Sequence, residues 1–437
     1  MERFLYKQLV KWKSSKNRKP LIIEGARQVG KTWLLKQFGE KEFENFVYIN
    51  CDNNPQLEDV FFDYDIERII RNLSALSNIK IEPGKTFIIF DEIQQSAKTL
   101  TSLKYFCEQA SNYHVAVAGS LLGLMDHYGS GFPVGKVESL NLYPLSFMEF
   151  LLATGNSIIV DQIKNHNWEE MNSLNPKITE LLRQYYYVGG MPAVVYSYVQ
   201  EQDIQKVRSI QNQILNDYEK DISKHAGRND IPKINMVWNS IPSQLAKENK
   251  KFVYGAIKSG SRAKDFENAI QWLINAGLVH KVNRIKKLEM PIKFYEDFDC
   301  FKLFINDLGL LGAMTQAPAS EILVGNNSFS SYKGSFTEQY VVQQFFSTYA
   351  EIGMSNKDIF YYTNENSTME IDFVVQAENI YPIEVKAEEN LKSKSLSTVL
   401  KQNQNLHGIR FSMSNYRKQE KMTNVPLGLC EEYFKTL

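Results

Sequence analysis

Leu21-Ile22-Ile23-Glu24-Gly25-Ala26-Arg27-Gln28-Val29-Gly30-Lys31-Thr32 is the stretch that decides the fold. Leu21, Ile22 and Ile23 read as a buried strand, and Gly25 to Thr32 spell the phosphate-binding pattern G-x-x-x-x-G-K-T. Gly25 and Gly30 supply backbone freedom that a Cβ removes. The amide groups of Ala26, Arg27, Gln28, Val29 and Gly30 are placed to form a nest for phosphate oxygens. Lys31 is expected to reach the β- and γ-phosphates, and the Thr32 hydroxyl to hold Mg2+. A helix opening over Thr32-Trp33-Leu34-Leu35 aims its positive end at the same anion. The cofactor-binding set is therefore Gly25 to Trp33, with ATP and Mg2+ as the ligands.

A chain of 437 residues with 43% hydrophobic and 23% charged residues suits a protein of several domains with substantial cores. No window approaches 18 uninterrupted apolar residues, so no transmembrane helix is expected. The opening MERFLYKQLVKWKSSKNRKP lacks the apolar core and small-residue cleavage site of a secretion signal. Cys51, Cys107, Cys300 and Cys430 are far apart, which points to free thiols in a reducing compartment and no zinc site. A cytoplasmic location follows as the expectation.

Beyond the first helix, Phe46–Ile49, Thr86–Phe90, His114–Gly119 and Val137–Leu142 read as strands separated by helical stretches. That alternation predicts a parallel sheet covered on both faces. Asp91-Glu92 ends the third strand, on the side where open α/β sheets place their ligands. Asp91 is expected to hold Mg2+, and Glu92 to orient and deprotonate the attacking water. Ser120, after the fourth strand, is placed either to touch the γ-phosphate or to serve only as a loop residue. Asn356-Lys357-Asp358 lacks the spacer of the guanine-reading N-K-x-D motif, which argues against GTP.

GARQVGKT, FIIFDEIQ, AVAGS and LNLYPLSFMEFL, in this order, resemble a prokaryotic group of AAA+-related P-loop ATPases. Members of that group carry a C-terminal domain of unknown function similar to PD-(D/E)xK nucleases. The resemblance implies that a Gly-Arg pair before the fifth strand could act on the γ-phosphate. Gly135-Lys136 stands there in this chain, and lysine keeps the charge without the bidentate fork. It also implies a helical lid whose Gly189-Gly190-Met191-Pro192 turn packs near the adenine; from sequence alone the same residues suit an ordinary helix–helix turn.

The net charge is zero, yet residues 247–293 hold eleven Lys/Arg against four acids, a local +7 balanced by −7 elsewhere. Within them Phe266, Ile270, Leu273 and Ile274 share a helical face, and Val279–Ile285 is extended. Helices followed by a β-ribbon read as a winged helix, and the resemblance agrees. Such a domain could place its last helix in a DNA groove with Lys286 and Lys287 on phosphates, or bind protein instead. Lys302, Asp307, Gly309 and Leu310 match the group's K-x-x-x-x-D-x-G-L segment, for which an internal connection is the expected role.

Near the carboxyl end, Glu370–Val375 and Tyr381–Lys386 read as a hairpin. Period-two alternation sends Ile371, Phe373, Val375, Ile383 and Val385 to one face and Asp372, Glu384 and Lys386 to the other. Asp372, Glu384 and Lys386 match PD-(D/E)xK, with Glu338 of the preceding helix as a further acid. Asp372 and Glu384 could then hold Mg2+ for phosphodiester hydrolysis, with the lysine activating water. The same alternation also suits a hairpin with a solvated, charged outer face.

The expected architecture is α/β and multi-domain: a parallel-sheet ATPase domain (1–150), a helical lid (151–228), a winged helix (229–325) and an α/β nuclease-like domain (326–437). Two functional readings follow. In one, an ATP hydrolase uses its nucleotide state to control a nuclease-like, DNA-contacting end. In the other, a nucleotide-gated scaffold with an idle nuclease fold recruits a protein partner. Oligomeric state, and an arginine supplied by a neighbouring subunit, stay open.

Overall fold

The computed structural model describes residues 1–437 except 53, 120–131, 248–249, 325–332, 365, 367 and 389–392. β1 (Leu21–Glu24), β2 (Asn45–Asn50), β3 (Thr86–Asp91), β4 (His114–Ala118) and β5 (Glu138–Asn141) form a parallel sheet in the order β2-β3-β4-β1-β5. β1 is an interior strand, between β4 and the edge strand β5, so the loop that follows it leaves from inside the sheet. Alternate β1 residues go to opposite faces: Leu21 and Ile23 join one core, Ile22 the other. The second core is filled by Ile69, Leu73, Leu103 and Phe106 from the helices that follow β2 and β3. Both faces are covered, as the apolar runs require.

The first core does not stop at the sheet. It continues through Tyr185, Tyr186, Val194 and Ile214 of the helical region to Phe345, Phe373 and Phe434 near the carboxyl end. A turn and a carboxylate make this continuity specific. Gly190 lies against the Leu145 backbone so closely that a Cβ would meet the Leu145 oxygen at 2.1 Å. Gly189 and Gly309 are equally tight, with a Cβ on Gly309 only 2.5 Å from the Val188 oxygen. Asp307 is fully buried between them. It accepts hydrogen bonds from the Gly190 N–H at 2.6 Å, the Leu310 N–H at 3.0 Å and the Gln343 amide at 3.2 Å. Burial pushes its carboxyl up to about 6, and these donors act in the opposite direction. Asp307, the acid of the K-x-x-x-x-D segment, is thus an internal connection joining three parts of the chain.

The second sheet is mixed and has eight strands: β6 (Val279–Ile285), β7 (Glu296–Ile305), β8 (Ile359–Thr363), β9 (Glu370–Gln376), β10 (Ile380–Val385), β11 (Gly408–Ser412), β12 (Arg417–Lys418) and β13 (Met422–Pro426). Their order is β12-β13-β11-β10-β9-β8-β6-β7. The β6–β7 ribbon expected as a free wing is therefore half of a sheet edge, because β6 pairs in parallel with β8 through Arg284–Tyr361 and Ile285–Tyr362. One sheet spans the expected boundary at 325/326. The alternation expected for β9 holds for Phe373 and Val375 but not for Ile371, which packs with Val374 in the opposite core. No helix among the described residues is long and apolar enough to cross a membrane.

Gly190→Ala forces a backbone shift at the Leu145 contact and should unfold the protein at markedly lower denaturant. Asp307→Asn turns an amide donor toward donors and should cost about 1–3 kcal/mol in a urea titration. Wild-type stability in both variants would show that the junction does not hold the regions together.

Candidate nucleotide site and carboxyl-terminal charge cluster

Three residues with positive φ shape the loop after β1: Gly25 at 149°, Gln28 at 67° and Gly30 at 96°. Gly25 also answers a second demand, since a Cβ there would lie 2.2 Å from the Leu142 oxygen at the end of β5. Ala26 and Val29 are buried beneath the loop. The Lys31 ammonium, at the start of the Lys31–Glu42 helix, donates to the carbonyls of Gly25 at 2.9 Å and Ala26 at 2.8 Å. Burial pushes it down to about 8; Glu92 and Asp91 pull it back up, and Arg27 pushes it further down. The Thr32 hydroxyl donates to Asp91 Oδ2 at 2.8 Å, and Tyr48 donates to the same oxygen at 2.8 Å. Glu92 follows at φ 50° and accepts from the Gln94 amide at 2.5 Å.

Lys31, Thr32, Asp91 and Glu92 line a cavity of about 340 Å3 together with Arg27, Gln28, Gly30 and the 43%-exposed Trp33. The opposite wall comes from farther along the chain: Tyr218, Asp221, Lys224 and His225 of the Ile204–His225 helix, and Trp272, Ala276 and Leu278 at the end of the Ala263–Asn275 helix. The contact is close, because a Cβ on Gly277 would lie 3.0 Å from the Ala26 nitrogen. The helix read as a DNA-groove element therefore has its carboxyl end against the phosphate loop. The Gly-x-Pro turn touches that loop from another side, with Pro192 Cγ 3.5 Å from a Cβ built on Gly30, and it is not part of the cavity wall.

A hydroxyl and a buried carboxylate beside a phosphate loop are the oxygen donors Mg2+ takes, so Thr32 and Asp91 fit that ion. No three His, Cys, Asp or Glu side chains among the described residues are grouped as a metal site. A cation here would therefore rest on one or two protein oxygens and the phosphates. Lys136 is not brought to this cavity: its ammonium pairs with Glu108 at 2.8 Å on the Ala97–Gln109 helix. Ser120 lies outside the described residues.

Of the basic segment, Lys250, Arg284, Lys286 and Lys293 are in ion pairs, with Glu338, Asp297, Asp297 and Asp358 respectively. Lys281 lies over the Phe301 ring. Lys258, Arg262, Lys264 and Lys287 are exposed. The +7 read from the sequence is thus partly neutralised by acids outside the segment.

Asp372 and Glu384 are adjacent on β9 and β10, one step beyond the Ile383–Phe373 pair. Asp372 Oδ2 accepts from the Val385 N–H at 2.7 Å. Glu338 is buried beside them, but lysines stand among the acids. Lys302, with no exposed surface, lies 2.6 Å from Glu370 and 3.5 Å from Glu338; Lys250 also pairs with Glu338, and Lys386 lies 2.6 Å from Glu384. Burial, then Glu338 and Glu384, push Asp372 up to about 8. Burial opposes the charge on Lys302, but Glu338 and Glu370 outweigh it and hold its affinity for a proton above the ordinary value. Asp372 and Glu384, the expected metal ligands, and Glu338, the further acid, thus stand in a network with the Lys302, Lys250 and Lys386 ammonium groups. Both faces of the hairpin are covered, so it is not a solvated charged surface.

Residues 17–151 match a family model described as AAA domain. The chain carries a P-loop ATPase domain of the AAA type. Residues 179–321 match one domain of unknown function (DUF8612), and 333–430 match another (DUF4143). The first of these runs across the boundary expected between lid and winged helix. An uncharacterized protein of Haemophilus influenzae is 24% identical over 185 residues, which is 40% of each chain. The match thus spans about 40% of that curated relative's length. Among solved structures, the Walker-type ATPase PABY2304 of Pyrococcus abyssi has a TM-score of 0.45 at 14% identity, covering 71% of this chain and 94% of that one. The Aeropyrum pernix Orc1 protein, solved in complex with DNA, has a TM-score of 0.26 at 12% identity, covering 73% and 92%.

The participants missed by the motif reading are Tyr48, Asp221 and Trp272 at the ATPase site, and Lys250 and Glu370 in the far cluster. None carries a local signal, since each arrives by tertiary packing. Lys302 did stand in a quoted motif, but no chemistry was attached to it. Because triphosphate binding needs the Lys31 ammonium protonated, ATP affinity should fall as pH rises through about 8. The slope should approach tenfold per pH unit for one coupled proton. Calorimetry from pH 7 to pH 9.5 measures it, and a flat profile would mean that Lys31 does not meet the phosphates.

Proposed function

We propose that the protein is a Mg2+-dependent ATP hydrolase whose nucleotide state controls its nuclease-like carboxyl-terminal region. One observation carries this reading: the far wall of the ATPase cavity ends at Leu278, and β6 of the second sheet begins at Val279. A shift of that wall would therefore enter the second sheet within one residue. In the hydrolytic step, Lys31 and the loop amides bind and orient the phosphates. Asp91 and Thr32 would hold the cation, which would offset phosphate charge when bound. Glu92 takes the proton of the attacking water. Ser120 and Lys136 are not needed for this assignment.

The nuclease-like reading of the far domain draws on its order: the Lys333–Glu351 helix, the antiparallel meander β8-β9-β10, the Lys394–Gln402 helix, and β11 parallel to β10. Asp372, Glu384, Lys386 and Glu338 are its candidate residues. The exposed cations at 258–287 are its candidate DNA contacts. A second reading, in which this domain is catalytically idle and binds a protein partner, has its own support in Lys250 and Lys302. Their ammonium groups offset the acids that a metal would otherwise need, and a proton-holding Asp372 is a poor ligand.

Lys31→Ala and Glu92→Gln should each reduce ATP turnover by about 100-fold or more, with Glu92→Gln still binding ATP. Retained turnover in either would mean that the site is misassigned. DNA cleavage with Mg2+ or Mn2+, with and without ATP, separates the two readings of the far domain. Cutting that is lost in Glu384→Ala selects the nuclease; no cutting under any nucleotide condition selects the binding module.

A further inference from the structure

Three contacts join the Ile204–His225 helix to two consecutive residues of the phosphate loop. The Tyr218 hydroxyl donates to the Arg27 carbonyl at 3.1 Å. The Gln28 amide donates to Asp217 at 3.1 Å, and the Arg27 guanidinium pairs with Asp221. Positions 217, 218 and 221 share one helical face, so the helix holds the loop as a unit. Gln28 is the loop residue with a side chain in the left-handed region, a conformation that needs outside support.

We propose that Arg27 is a second phosphate-contacting cation of the ATPase site, and that Asp221 holds it in exchange for the terminal phosphate. The Ile204–His225 helix would thereby distinguish a nucleoside triphosphate from a diphosphate. This rests on the reading of the cavity as an ATP site and adds the element that senses its occupancy.

The geometry favours exchange over a permanent structural pair. Arg27 and Asp221 both line the cavity that holds Lys31, Asp91 and Glu92. The Arg27 side chain is 52% exposed, so its bond to a single carboxylate is screened and of modest strength. A terminal phosphate offers more charge and a bidentate partner for the planar guanidinium, and it competes well for the same fork. Lys224, three residues after Asp221, faces the same cavity and is positioned to add attraction once Asp221 has released its partner. The far end of the cavity wall, at Leu278, leads directly into the second sheet. Arg27 is held by the Ile204–His225 helix, and its neighbour Ala26 lies against Gly277, just after the other helix of the wall.

The test is calorimetric binding of a non-hydrolysable ATP analogue and of ADP, each with Mg2+, to the full chain. Arg27→Ala should weaken the triphosphate about tenfold, the worth of one charge-assisted contact, and leave ADP within about twofold. Asp221→Asn should tighten the triphosphate about threefold and leave ADP unchanged. In Arg27→Ala/Asp221→Asn the second substitution should have no further effect, because its target is gone. Arg27→Lys should recover only part of the preference. Equal weakening of both nucleotides by Arg27→Ala, or an Asp221→Asn effect that persists without Arg27, would overturn the proposal. A parent protein that binds neither nucleotide would overturn the ATP-site reading itself. Should Arg27→Ala fail to fold, Asp221→Asn and Arg27→Lys still decide between these outcomes.

Discussion

A single buried carboxylate organises the meeting of the three regions. Asp307 accepts from the Gly190 backbone in the turn between two helices, from Leu310 at the start of its own helix, and from Gln343 on the Lys333–Glu351 helix. A buried carboxyl is costly unless its oxygens are satisfied, and here all three regions must be in place to satisfy them. Glycine at 189, 190 and 309 makes the arrangement possible, because the backbones approach more closely than any Cβ allows. The apolar core that runs from Phe4 to Phe434 supplies the bulk of the stabilisation, and this polar knot within it fixes the register.

That continuity bears on how a nucleotide site could act at a distance. The cavity is built from the phosphate loop on one side and from two helices of the middle region on the other. One of those helices ends in the strand β6, which pairs with β8 of the carboxyl-terminal sheet. The middle region is thus a shared wall rather than a tethered module. Its basic residues are divided between ion pairs with neighbouring elements and open surface, which weakens the case for one continuous DNA-binding face.

The carboxyl-terminal cluster shows how the same residues can support opposite chemistries. Acids on adjacent strands and a helix suit a divalent cation when they are alone. With Lys302 and Lys250 beside it, Glu338 forms buried ion pairs whose attraction offsets the loss of hydration. Removing either lysine would leave uncompensated negative charge, which is the condition that draws in a metal.

The phosphate loop, the five parallel strands and the acid pair Asp91-Glu92 were legible in the sequence because each depends on neighbours close along the chain: a strand, a turn and a helix start. The hairpin carrying Asp372 and Glu384 was legible for the same reason, through its period-two pattern. Tertiary structure alone decided that the ribbon 279–305 is part of a larger sheet, that Lys136 turns to Glu108, and that Asp221 and Trp272 face the phosphate loop. It also placed Lys302 and Lys250 among the acids. All of these depend on which distant surfaces pack together, and that is set by the sum of burial over the whole core rather than by any local pattern of residues.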